Sequence, residues 1–516
     1  MVIIALLVGY MGFIVLLGKH KTATSVTAFQ NGNHQLGFWT ILIMVTALWS
    51  SSLIVVEIDA AYQYGVSALW YGVSVALMSV LVSLLMPWFH QHAYISNSDL
   101  LGRTFGRGVR RLSGMVIGGT FPIFALSNAL AAAIFLQTAL SWPLWLSLSV
   151  TTLLLIVTIQ FAGMLSLAQM QGFNLFMVMI GIVYAIHTMA HPLPHPKMVM
   201  PPRFWHLWGV GHGIVAVWFG MNILNVVCAQ AEIQTLAAAR HIRHAKWATW
   251  LSTLWLLVII VISTWLGVMT RLLTPNPHMD GTDGLEAFFH IVLAHSSPLW
   301  VALLGMSMWS LAIMWCGPLL FSGAISMTHD VMGQFHSLSW LRIGLIVEGV
   351  IMVLYGLWRP GELAWWRVFG LTLRNAAVVG PTLVVLLWKD TFPRKAVLLA
   401  IASGIGTGLG LNALTGFSAT HFVWGINPMW SAATITMVVL ATARLLHQRQ
   451  LLGAILGVAL WGLLTVLLIR YGSAANLLGI LLLFSGLLFM GYAWLLTRRP
   501  DAELKLYPLS KSVESD

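Results

Sequence analysis

Apolar runs the length of a membrane helix, separated by short polar breaks, fill this chain from its start to Thr497. A hydrocarbon core about 30 Å thick takes about 20 mainly apolar helical residues to cross. On that window the runs fall at 2–18, 38–58, 66–88, 113–139, 142–162, 172–189, 207–229, 246–272, 297–325, 338–358, 366–388, 396–414, 428–447, 451–470 and 475–496. The pattern predicts an all-α polytopic membrane protein of fifteen spans, with thirteen or fourteen as the alternative count. Between the runs, the longest polar stretches are 89–112, the Pro/His-rich 191–206, 272–296 and the tail after Thr497. None is long enough to bury a core of its own, which excludes a soluble catalytic module.

Composition agrees. Of 516 residues, 59% are hydrophobic and 8% charged, with mean hydropathy +0.87, too little polar surface to cover a soluble core of that size. The net charge of +11 does not point to nucleic acid, because the basic residues form no single patch interleaved with aromatics. They alternate by loop instead. With the N-terminus outside, the inner segments hold Lys19, Lys21, Arg103, Arg107, Arg110, Arg111, Arg240, Arg243, Lys246, Lys389, Arg394, Lys395, Arg449, Arg498, Arg499, Lys505 and Lys511. The other side holds roughly five, so the positive-inside bias predicts a plasma-membrane protein with its N-terminus outside and its C-terminus in the cytoplasm. The first run lacks a basic n-region and a small-residue cleavage site and reads as a retained, inverted anchor. Cys228 and Cys316 lie inside spans and read as small buried apolar residues.

Interrupted helices mark binding sites in carriers, because unwound backbone at membrane depth is tolerated where it lines a cavity. Two spans carry such signals. The second holds Thr46-Ala-Leu-Trp-Ser-Ser-Ser-Leu, whose serines favour local side-chain bonding. The seventh holds Gly211, Gly213 and Gly220 with Trp218, Asn222 and Asn225. The alternative for both is that small residues allow close helix packing. Their offset of five spans fits the first helices of two inverted five-helix repeats. The expected solute lining is Trp49, Ser50, Ser51, Ser52, Trp218, Asn222 and Asn225, the tryptophans as flat apolar walls and the serines and asparagines as orienting groups.

Ionisable groups at membrane depth are functional candidates, since charge there costs several kcal/mol unless paired or hydrated. Glu57 and Asp59 fall at the outer end of the second span, where a vestibule would be. Glu348 lies near the middle of the tenth and Arg374 about a third into the eleventh. Arg374 either binds a substrate carboxylate or pairs with Glu348, which would carry a proton; a fixed structural pair is the other reading. His90, His92, His191, His195, His241 and His244 sit in loops, and no paired Cys or His-Glu-x-x-His pattern occurs, so no metal site or cofactor is expected. Asp280, Asp283 and Glu286 lack the remaining ligands of a calcium loop, and Gly404, Gly406, Gly408 and Gly410 read as packing positions.

Four stretches in order between Ser25 and Asn412 carry a family resemblance. They are 37–65 with its continuation Ala61-Tyr-x-Tyr-Gly-x-Ser-x-Leu-Trp-Tyr71; Ile233-Gln-Thr-Leu-Ala-Ala-Ala-Arg-His-Ile-Arg-His-Ala-Lys246; Ala312-Ile-Met with Ser326-Met-Thr-His-Asp330; and Pro381 to Gly406, which turns through Trp388-Lys389 and a Pro with two basic residues into an Ala/Gly-rich helix. Together they resemble the sodium:solute symporter family. The resemblance implies the leucine-transporter type of fold: a leading helix and cytoplasmic loop over 1–37, a first inverted repeat over 38–190, a second over 191–390, and trailing helices with a short tail over 391–516. It also implies alternating-access symport of a small polar organic solute. The other reading is a transporter-like membrane sensor that signals to a partner protein.

The sequence departs from the family where the ion binds. The resemblance puts sodium-coordinating carbonyls near Ala47 and Ser50, and the remaining ligands on the eighth core helix at Ala312 and a hydroxyl pair. That pair becomes Trp315 and Cys316, or Met314 and Trp315, neither of which offers the hard oxygens sodium needs. Acidic positions of the family's ion route fall at Trp49 and Gln171. Sodium is the coupling ion by resemblance, with proton coupling or uncoupled exchange as alternatives.

Overall fold

The computed structural model describes residues 2–19, 34–91, 95–160, 163–190, 200–274, 284–294, 296–333, 337–360, 363–388, 392–418, 421–471 and 475–498. Its described residues are all-helical apart from one isolated β-bridge and short connections, and each of the fifteen apolar runs contains helix. In chain order the helices are α1 (Val2–Lys19), α2 (Phe38–Tyr64), α3 (Leu69–Gln91), α4 (Asn97–Phe105), α5 (Arg107–Leu140), α6 (Leu144–Gln160), α7 (Gly163–Ala190), α8 (His212–Asn225), α9 (Gln230–Ala237), α10 (Ile242–Leu273), α11 (Gly284–Ala294), α12 (Pro298–Ile325), α13 (Leu338–Trp358), α14 (Leu363–Leu387), α15 (Arg394–Leu414), α16 (Pro428–His447), α17 (Leu451–Tyr471) and α18 (Ala475–Thr497). Among the described residues eleven helical stretches are long and apolar enough to cross a membrane, or twelve if α8 and α9, bent by 45°, count as one. The difference from fifteen arises because Phe38–His90 is continuous enough to count once, and because Ile3–Gly18 and Leu144–Gln160 are shorter than a full span.

The chain divides into two compact units. The first comprises Met1–Ile95, Gly118–His329 and Gly333–Gly370. Its centre is α2, buried without interruption from Met44 to Tyr62, and α12, buried from Ser307 to Ile325. Lipid tails are as apolar as leucine, so close backbone approach, rather than hydrophobic attraction, holds such helices together. Gly267 of α10 supplies that approach: a Cβ there would strike the Ile58 carbonyl and the Ala61 side chain of α2. Gly65 ends α2 in the left-handed region (φ 66°), where glycine bears no steric penalty, and Phe204 lies directly over it. Phe204 and Met200 pack with Ala60, Ala61, Ala68 and Val268, while Trp70 stacks on Trp208 at 4.9 Å and donates to the Leu207 carbonyl at 2.9 Å. The polar-looking stretch 272–296 contains an unforeseen element, α11, which buries Leu285, Phe288, Phe289 and Val292.

The second unit comprises Ser96–Ile117, Asp330–Met332 and Leu371–Asp516. Ser96 caps α4 by accepting from the Asp99 amide at 2.9 Å and donates to Asp330 at 2.7 Å. Asp99 in turn pairs with Arg103 and with Arg110, the latter at 2.8 Å. Within this unit α16 is the core, packed between α15 and α18. By contrast α17 exposes most of its leucines, as a lipid-facing helix does.

Candidate functional site

The seventh span breaks. After Asn225 the helical ladder gives way to three-residue steps, Val226 to the Ile223 carbonyl and Cys228 to the Asn225 carbonyl. The Gln230 amide then bonds to the Cys228 carbonyl at 2.7 Å, an inverse γ-turn centred on Ala229 (φ −73°, ψ 60°). The amides of Val227 and Ala229 make no hydrogen bond among the described residues. Past the break, α9 is fastened to α12: Gln230 donates to the Ser322 carbonyl at 3.2 Å and to Ser326 Oγ at 3.0 Å, and Ser322 donates to Gln234. Gln234 also donates to the Ile95 carbonyl at 2.7 Å. The segment entering α2 joins in, with Leu36 and Ala239 forming a parallel β-bridge and His34 Nδ1 lying 2.6 Å from the Ala237 carbonyl.

The second span does not break, contrary to the expectation from its serine run. It is one helix of 27 residues. Ser51 donates to the Leu48 carbonyl at 3.1 Å, so its hydroxyl is satisfied inside a helix and does not compete with it. Trp49 and Ser50 are fully buried, and Trp49 Nε1 and Ser50 Oγ have no hydrogen-bond partner among the described residues. The Ser51 carbonyl accepts from Asn128 of α5 at 2.9 Å, and the same amide donates to the Leu311 carbonyl of α12 at 3.2 Å.

Polar groups from α2, α3, α8, α12 and α14 form a chain of contacts beside the broken span. Asn222 donates to Ser74 of α3 at 2.7 Å, and its Oδ1 has no partner among the described residues; Asn225 donates only weakly, to Met78 Sδ at 3.7 Å. Trp218 meets Tyr71 edge to face at 5.8 Å and lies 6.1 Å from Tyr64. Arg367, from the first turns of α14, lies over the Tyr71 ring at 5.4 Å and the Trp315 ring at 5.5 Å and donates to Ser52 Oγ at 2.7 Å. Trp315 is itself fixed by a 2.7 Å bond to the Phe124 carbonyl. Ser52, Trp218 and Asn222 therefore join one contact chain, and Arg367 is a member that the sequence reading missed. Its position beside Trp365 and Trp366 at the start of an apolar run reads as an interfacial anchor; the fold turns the side chain inward.

The remaining sequence candidates are scattered. Cys316 donates to the Ala125 carbonyl at 3.1 Å, so Trp315 and Cys316 are both engaged with α5 backbone. Ala47 and Ala312 are fully buried in α2 and α12. Glu57 accepts from Thr264 of α10 at 2.8 Å, and Asp59 accepts from the Gly284 amide at 3.1 Å, so both acids are buried at helix contacts. Glu348 is fully buried on α13 against Gly323, and Arg374 belongs to the second unit. Gln171 donates to the Met314 carbonyl at 3.4 Å. Asp280, Asp283, His92, His191 and His195 lie outside the described residues; Glu286 faces His290 at 3.8 Å, and His241 and His244 contact each other at 5.1 Å between ring centres.

No family model matches the chain, and no curated protein matches it in sequence. Among solved structures it is similar to a sodium-coupled sialic acid symporter in a substrate-bound, outward-open state: TM-score 0.65, 14% identity, covering 86% of this chain and 96% of that one. The chain has a transporter fold of the leucine-transporter type. A manganese transporter from Eremococcus coleocola also aligns, at 13% identity over 92% of this chain and 99% of that one, but its TM-score of 0.44 adds nothing to the assignment.

Proposed function

We propose that this protein is a secondary carrier of the sodium:solute symporter type, moving a small polar organic solute across the plasma membrane by alternating access. The observation that carries the proposal is the break at Val226–Ala229, set beside buried polar side chains of α2, α3 and α8 whose hydrogen-bonding capacity is not used up. Buried polar groups without partners are costly, and in carriers they mark the solute path. In the proposed arrangement the two inverted repeats start at α2 and at α8, with the N-terminus outside and the C-terminus in the cytoplasm.

Both ends of the broken span are covered. On one side the Met200–Trp208 segment lies over the α2–α3 turn; on the other, α9 is bonded to α12 and to the segment entering α2. Opening would undo one set of contacts at a time. Engagement of Trp315, Cys316 and the Ser51 and Leu311 carbonyls with α5 supports proton coupling or uncoupled exchange over sodium. No observation favours the sensor reading.

Solute counterflow in proteoliposomes tests this. A preloaded small polar solute should drive uptake of its labelled form above empty vesicles, and sodium and pH gradients imposed separately identify the coupling. Absence of counterflow across sugars, amino acids, carboxylates, urea and quaternary amines would refute the carrier reading.

A further inference from the structure

We infer that the transported solute bears a carboxylate, held by Arg367; this rests on the carrier reading above and narrows it to an organic acid. Arg367 is 9% exposed, and among the described residues no Asp or Glu oxygen lies within the 4.0 Å of an ion pair. The helices around it cannot supply one: α3, α5, α8, α12 and α14 contain neither Asp nor Glu. On α2, Glu57 is five residues from Ser52, roughly 140° around the helix; its Oε1 accepts from Thr264 of α10, its Oε2 has no hydrogen-bond partner among the described residues, and neither oxygen lies within ion-pair distance of Arg367. Asp59 is taken by the Gly284 amide. Glu348 sits against Gly323, eight residues or about 12 Å along α12 from Trp315.

A guanidinium at membrane depth without a carboxylate is an incomplete electrostatic unit, and what completes it is an anion. The surroundings point to the kind of anion. Ser52 and the Tyr71 and Trp315 rings orient the guanidinium fork, whose planar donors match a carboxylate two-to-two. One uncompensated positive charge matches one negative charge, which favours a monocarboxylate over a phosphate dianion. The aromatic faces and the free Asn222 Oδ1 are suited to a body with an apolar side and a donor group.

The test is thermal unfolding of the purified full chain in detergent with acetate, lactate, benzoate and succinate, each against its neutral amide: acetamide, lactamide, benzamide and succinamide. At least one monocarboxylate should raise Tm where its amide does not. Arg367→Gln should weaken that acid by about tenfold or more, and Arg367→Lys, which keeps the charge and loses the fork, by less. Equal shifts with acid and amide, no shift with any acid, or an unchanged acid response in Arg367→Gln would overturn the inference. Should Arg367→Gln fail to fold, the acid–amide difference in the natural protein and the Arg367→Lys response decide. Counterflow separates the two levels: exchange of neutral solutes with indifference to acids sinks the carboxylate and leaves the carrier, whereas no exchange of any solute sinks both.

Discussion

The second and seventh spans look alike in sequence and differ in structure. Both carry small polar residues and a tryptophan near mid-run, yet α2 is unbroken over 27 residues while the seventh span bends by 45° between α8 and α9. The interruption does not fall at Gly211, Gly213 or Gly220, which looked most permissive, but after Asn225 in Val226-Val227-Cys228-Ala229. What separates the two is the bonding each finds outside itself. Ser51 and Ser52 of α2 are satisfied within or beside an intact helix, through the Leu48 carbonyl and the Arg367 side chain. The turn before α9 is held open by the Gln230 and Gln234 side chains, which bond to α12 and to the Ile95 carbonyl. A helix break here is a tertiary event, priced in side-chain bonds to neighbours and not in local propensity.

The largest test of that contrast is Ser50→Pro, which should cost about 3 kcal/mol or more by removing a ladder bond in the middle of α2, read as a fall in Tm or loss of folded protein. Ala229→Pro is its opposite. Ala229 already has φ −73° and an amide with no hydrogen bond among the described residues, so the same substitution should change stability by about 1 kcal/mol or less. A strong loss there would mean that the turn is not the resting geometry.

Close packing of α2 on α10 is next. Gly267→Leu forces a side chain into the Ile58 carbonyl and should destabilise by about 2 to 3 kcal/mol, again read from Tm. Asn128→Ala removes both bonds linking the Ser51 and Leu311 carbonyls and should cost about 1 to 3 kcal/mol. If sodium then binds and restores stability to that variant while leaving the natural protein unaffected, the amide is standing in for a cation.

Gln230→Ala should cost about 1 kcal/mol per bond lost, but its effect should be the most visible in motion. Loosening α9 from α12 should raise the labelling rate of a cysteine placed at the buried Ala238, at the end of α9, and an unchanged rate would show that these bonds do not hold that end shut.

How much was legible follows from the range of each interaction. Helix positions were readable because a membrane span is a local demand on about 20 consecutive residues, and every run so identified contains helix, the seventh only over His212–Asn225. The burial of α11 was not, because its six buried residues occupy a run too short for that window and are covered by other helices, α2 and α10 among them. Of the expected lining, Ser52, Trp218 and Asn222 enter one contact chain, whereas Arg374 lies in the other unit. Arg367 was missed because its sequence neighbours, Trp365 and Trp366, are what an interfacial anchor also has.

By itself the sequence determined that this chain is a multi-pass membrane protein built of helices, because hydropathy acts residue by residue. It could not determine which helix breaks, which arginine turns inward, or that Trp315 and Cys316 would be spent on the α5 backbone. Those outcomes depend on which carbonyls and side-chain polar groups lie within a few ångströms, and in this protein the partners are between 88 and 315 residues away along the chain.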